Sequence, residues 1–193
     1  MPGGALRRHR PLVEAALGDV MPRAAHLEFN APLNIVVQPG KRVIPQRGAV
    51  GDVPRPGLIL LTLDPDSAEL ATVANRAPAR MIAHELHHAR RWDGPGYGAT
   101  LGEAMVSEGL AGAFANTLYG DPPEPWETAL TPEIARYWGQ REYDHGRWFF
   151  GTGDLPDWAG YTWAYGHIAA YLARYRDESA TSLATVDAAH FVP

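Results

Sequence analysis

The chain has 193 residues, 46% of them hydrophobic, a formal net charge of −5 and no cysteine. That length and apolar content suit one domain with a real core over residues 1–193, and the missing thiols exclude disulfides and thiolate chemistry. Mild acidity leaves no electrostatic footprint for nucleic acid, and no apolar run approaches the roughly 18 residues that a membrane-spanning helix needs.

Arg7-Arg8-His9-Arg10 reads as a solvated cluster. No apolar run follows it, so the first ten residues do not form a secretory signal and a cytoplasmic location is expected. A first helix is predicted from Pro11 to about Val20 or a little beyond. Leu33 to Gln38 is an apolar, β-branched run closed by Pro39-Gly40, hence a strand, and Arg42 to Ile44 is a candidate partner for it. Leu58 to Leu63, set between Pro56-Gly57 and Asp64-Pro65, carries the strongest strand signal in the chain.

Helices follow. Ala77 to Trp92 has Pro78 in its first turn, Arg90 and Arg91 in its last, and Gly94-Pro95-Gly96 as a stop. Thr100 and Glu103 form a capping box, so the next helix begins near Leu101 and runs to about Tyr119, where Gly120 and Asp121-Pro122-Pro123 end it. Thr131-Pro132-Glu133 opens a helix reaching about Arg141. Trp158 to Arg176 is a long amphipathic helix, and Thr181 to Ala189 a short one. Strands first and helices later argue for an α+β fold with one small sheet.

The chemistry is concentrated in His84-Glu85-Leu86-His87-His88. On a helix, His84 and His88 stand one turn apart on the same face, a spacing at which two imidazoles can hold one Zn²⁺. Glu85 lies about 100° round the helix from His84, within reach of a water on the metal. Glu108, in the second turn of the next helix, completes a His-His-Glu set and leaves a fourth position open. Gly109, Ala111, Gly112 and Ala115 give that helix small residues with which to approach the His84 helix closely. His87 reads as a packing or supporting residue, and the capping box accounts for Glu103.

This arrangement resembles the gluzincin zinc metallopeptidases, whose pattern is His-Glu-x-x-His with a downstream glutamate ligand. The interval from His88 to Glu108 equals the thermolysin-type interval, and Ser107-Glu108-Gly109-Leu110-Ala111 resembles the Asn-Glu-Gly-x-Ala box of related aminopeptidases. More closely, the chain resembles the YjaZ-like family of predicted zinc-dependent proteases, a bacterial group, through Ile82 to His88, Ser107 to Ala111 and Tyr161 to Leu172. That likeness extends from about Leu33 to Ala189. It implies a zincin-like catalytic domain with a small N-terminal sheet over the active-site helix and a mostly helical C-terminal half. One Zn²⁺, a peptide or protein substrate, and Glu85 as general base follow from it.

Gluzincins stabilise the oxyanion with a tyrosine or histidine, and Tyr161, Tyr165 and His167 are the candidates here. Trp158, Tyr161, Tyr165, Ile168 and Leu172 also form a stripe at helical spacing, the pattern of a core face. The resemblance further implies an edge strand that pairs with substrate. Leu58 to Leu63 is the candidate, against which stands its barely alternating run, the mark of a buried central strand. Gly112 departs from thermolysin, which has an aspartate there supporting a zinc-bound histidine, so that support is unassigned. Two other activities fit the same pattern: a zincin-fold binding or regulatory protein without turnover, against which the intact Glu85 argues, and a zinc hydrolase of a non-peptide amide or ester.

Overall fold

A computed structural model describes residues 4–72, 76–120 and 132–193. The predicted stop at Asp121-Pro122-Pro123 and the start at Thr131 lie outside the described residues. The element order is α1 (Arg10–Arg23), β1 (Asn34–Pro39), β2 (Ala49–Arg55), β3 (Leu58–Leu63), α2 (Glu69–Thr72), α3 (Arg76–Arg91), α4 (Leu101–Tyr119), α5 (His145–Phe150) and α6 (Ala159–Arg174). The architecture is mixed α+β: a three-stranded sheet, then helices. No helix among the described residues is long and apolar enough to cross a membrane.

The sheet order is β1-β3-β2, with β1 parallel and β2 antiparallel to β3. β3 is therefore the central strand, which decides between the two readings of Leu58–Leu63: the buried central strand holds and the substrate-pairing edge does not. Its Ile59, Leu61 and Leu63 are buried on one face, while Leu60 and Thr62 on the other are half-buried and line an open groove. The edge position beside the helices belongs to β2, a strand that Gly51, Asp52 and Pro54 conceal from propensity. Arg42 to Ile44 does not join β1. Ile44 instead makes a single antiparallel bridge to Ala49.

Behind the sheet, α3 sends Ala79, Ile82, Ala83, Leu86 and Ala89 into a core shared with Ile59, Leu61, Ala16 and Val20. Its other face carries the histidines. The capping box is formed as expected: Thr100 Oγ1 accepts from Glu103 N, and Glu103 Oε2 accepts from Thr100 N. Gly120 closes α4 at φ 62°. Of the small residues of α4, Gly109 and Gly112 face α6 rather than α3. A Cβ on Gly109 would meet the Ala164 carbonyl oxygen at 2.3 Å, and one on Gly112 would touch the Tyr165 ring.

Two predicted helices are shorter than their patterns suggest. The first is a 3₁₀ segment, Pro132–Tyr137, because the chain then turns to place the Trp138 and Gln140 carbonyls on the free N–H groups of Gly102 and Leu101. Residues 180–187 form turns followed by a 3₁₀ segment at Ala188–Phe191, not a helix from Thr181. The carbonyls of Ala180, Ala184 and Val186 are taken by side chains of α3 instead of continuing a helical ladder.

Candidate metal centre

His84 and His88 project from mid-α3 with their Nε2 atoms 3.0 Å apart. From the second turn of α4, Glu108 Oε2 lies 3.0 Å from His84 Nε2 and 3.4 Å from His88 Nε2. The histidine spacing follows from the helical turn, and Glu108 arrives because α4 packs along α3. These three residues form a cluster able to hold a metal ion. Ligand atoms around a tetrahedral Zn²⁺ with bonds of about 2.0–2.1 Å sit roughly 3.3 Å from one another, so the observed triangle fits that ion. The donor chemistry agrees, since two imidazole nitrogens and a carboxylate oxygen turn lone pairs toward one point. Glu108 keeps 6% of its side chain exposed and His84 22%, so solvent approaches from the His84 side.

Glu85 is buried beneath β2, where only a glycine leaves room for it. A Cβ on Gly51 would fall 2.4 Å from Glu85 Cγ, Cδ and Oε1. Burial raises the Glu85 pKa, against the opposing charges of His84 and His88. Burial acts the same way on Glu108, but the charge of His88 and hydrogen bonds from His84 and His88 outweigh it and hold that carboxyl well below its usual range. The two carboxyls of the site are thus driven in opposite directions.

An open groove of about 1040 Å³ runs over the site. One wall is β2 with residues 42–46, and the other carries His145, Phe150, Trp158 and Tyr161. Asp64 N donates to Gly48 O, and Ile44 N to Ala49 O. Antiparallel alternation from those two bonds turns the N–H and C=O of Gly51 to the outer edge. The edge ends at Val53, whose carbonyl accepts from Trp92 Nε1 at 3.1 Å.

Of the three residues expected as oxyanion donors, Tyr161 alone lines the groove, its ring edge-on to Phe149 at 5.1 Å. Tyr165 packs in the core against α4, so the stripe reading holds for it. His167 is stacked on Trp163 with Nε2 bonded to the Phe191 carbonyl. Neither is placed to meet a reacting carbonyl. Sequence reasoning passed over two other groove residues. His145 lies on α5, stacked on Phe149 at 4.4 Å, and burial lowers its pKa against the opposing charges of Glu108 and Asp144. Tyr97 donates from Oη to Glu108 Oε1 at 2.7 Å, and burial keeps its hydroxyl protonated. The available signals were Asp144 and Gly151 capping α5, and an aromatic residue between Gly96 and Gly98, both at positive φ.

The fold and cluster are those of a candidate zinc-binding enzyme. Residues 11–193 match the family described as "Predicted Zn-dependent protease (DUF2268)", and the chain belongs to that family. Among curated proteins it is similar to the uncharacterized protein YjfC of Bacillus subtilis (strain 168), with 32% identity over 96 residues. That alignment covers 48% of this chain and 30% of the relative's length. No solved structure matches the chain.

Proposed function

We propose that this chain is a zinc-dependent metallopeptidase of the gluzincin type on a zincin-like fold, with one Zn²⁺ held by His84, His88 and Glu108. Held by three residues, a zinc ion supplies Lewis acidity, making a water acidic near neutral pH and polarising a carbonyl. Glu85 is the general base. Its burial raises its proton affinity toward the range useful for catalysis, and it lies next to His84 on the same rigid helix. It takes the proton of the attacking water and delivers it to the departing amine.

Substrate lies along β2. The outward N–H and C=O of Gly51 offer an extended peptide two main-chain hydrogen bonds directly over Glu85, a strand addition that leaves side chains to the aromatic wall opposite. Tyr161 and His145 face the same groove and are the candidates to donate to a developing oxyanion. Tyr161 carries forward from the sequence, and His145 replaces Tyr165 and His167.

The observation that carries this reading is the convergence of His84, His88 and Glu108 with Glu85 beside them under an open strand edge. The test is Glu85→Gln assayed on a mixed peptide library. Hydrolysis falls by 10²-fold or more, an order-of-magnitude expectation for a lost general base, while zinc content stays at the parental level. A Glu85→Gln variant with parental activity would remove Glu85 from the mechanism.

A further inference from the structure

Glu108 has two carboxylate oxygens with different surroundings. Oε2 faces the histidines at 3.0 and 3.4 Å, while Oε1 accepts the 2.7 Å hydrogen bond from Tyr97 Oη. Tyr97 is held at its other end too. Its carbonyl accepts from Ser107 Oγ at 2.8 Å, and Ser107 Oγ accepts from Arg91 Nε at 2.8 Å. Chemistry fixes the direction of this relay, because the single serine proton is given to the Tyr97 carbonyl and the guanidinium can only donate.

Arg91 is among the most buried side chains, 1% exposed. Its Nη1 donates to the carbonyls of Ala184 and Val186 at 3.2 and 3.0 Å. On the same helix, His87 Nε2 meets the Ala180 carbonyl at 2.9 Å, and that nitrogen carries the proton because a carbonyl only accepts. The residues immediately before and three after His88 therefore both clasp the segment 180–187. From that segment the chain of contacts runs through Arg91 and Ser107 to Tyr97, and returns to Glu108.

We infer that Tyr97 is a positioning residue for Glu108, and that Arg91 and Ser107 are the support that keeps its loop in place. This rests on the reading that His84, His88 and Glu108 hold a zinc ion. A carboxylate free to turn can offer a cation either oxygen or both. The phenol reserves Oε1, so Glu108 presents Oε2 alone and has an outer hydrogen-bond partner of its own. A purely packing role would need only the ring, which lies 5.6 Å from that of His88 and 6.2 Å from that of His145. Tyr97→Phe keeps the ring and removes the hydroxyl.

Zinc affinity is measured on the purified full chain by competition with a chromophoric chelator, and the visible absorption of the Co²⁺-loaded protein is recorded in parallel. Removing an outer hydrogen-bond partner of a ligand weakens metal binding by roughly 10- to 100-fold, and Tyr97→Phe is expected to do so with an altered Co²⁺ spectrum. Ser107→Ala retains the phenol but releases its loop, and is expected to produce a smaller loss in the same direction. Parental affinity and an unchanged spectrum in Tyr97→Phe would overturn the inference while leaving the metal site standing. If Tyr97→Phe does not fold, Ser107→Ala decides by the same criterion. A parental chain that binds neither Zn²⁺ nor Co²⁺ would overturn both the inference and the metal reading beneath it.

Discussion

Gly51→Ala separates the roles of fold and site with one methyl group. Gly51 is not among the glycines at positive φ, so the backbone accepts alanine. Its Cβ would lie 2.4 Å from Glu85 Cγ, Cδ and Oε1, against about 3.5 Å or more for relaxed contact between such atoms. Something must therefore move by about 1 Å. β2 cannot, because Gly51 pairs with Leu61 of the central strand, and α3 cannot, because Ala83 and Leu86 are locked in the core. The Glu85 carboxyl is the free end, so it gives way. Overpacking costs about 1–3 kcal/mol, here toward the low end because one flexible side chain absorbs it, and replacing a strand glycine returns roughly 0.5–1 kcal/mol. Stability should change little. A general base displaced by about 1 Å is expected to lose on the order of 10²-fold in kcat/KM. Peptide hydrolysis, zinc stoichiometry and a urea midpoint measured on one preparation give the answer. Parental kcat/KM in Gly51→Ala, or loss of zinc along with activity, would refute the reasoning.

Gly109→Ala should do the opposite. Its Cβ meets the backbone carbonyl of Ala164 at 2.3 Å, with no flexible group to yield, so α4 and α6 must separate. The expected cost is about 2 kcal/mol after the better helix propensity of alanine is allowed for, read as a lower urea midpoint; an unchanged midpoint would contradict the close crossing of these helices. Arg91→Met removes three hydrogen bonds, two buried and one part-buried, and takes the Arg91 donor from the Ala184 and Val186 carbonyls. A loss of about 3 kcal/mol or more is expected in chemical denaturation, and a loss below about 1 kcal/mol would show that the segment 180–187 is held by other means.

What was legible in the sequence is what local chemistry decides. Thr100, Glu103 and Gly120 mark the ends of α4 because caps act within one turn, and the histidine pair needs only the helical repeat. β3 was visible as a strand and its barely alternating run pointed to a central place, but the choice between centre and edge depended on β2, a partner with little strand character of its own. Gly51 and Pro54 belong in β2 for tertiary reasons: one makes room for Glu85, and the other falls where the β2–β3 register shifts. Residues 181–189 have helical propensity, yet Arg91 claims the carbonyls of Ala184 and Val186, and His87 that of Ala180 just before them, from more than ninety positions away. For the same reason Tyr165 and His167, on a helix correctly anticipated, turn into packing, while His145 and Tyr97 reach the groove from a short helix and a glycine-bounded loop.

The claim on which the mechanism depends is that His84, His88 and Glu108 share one divalent ion. Metal analysis of the purified chain beside Glu108→Ala, each equilibrated with Zn²⁺ and freed of excess, addresses it most directly. The account predicts one zinc ion per parental chain and a marked loss of occupancy in the variant. Full occupancy in Glu108→Ala, or none in the parent, would contradict it.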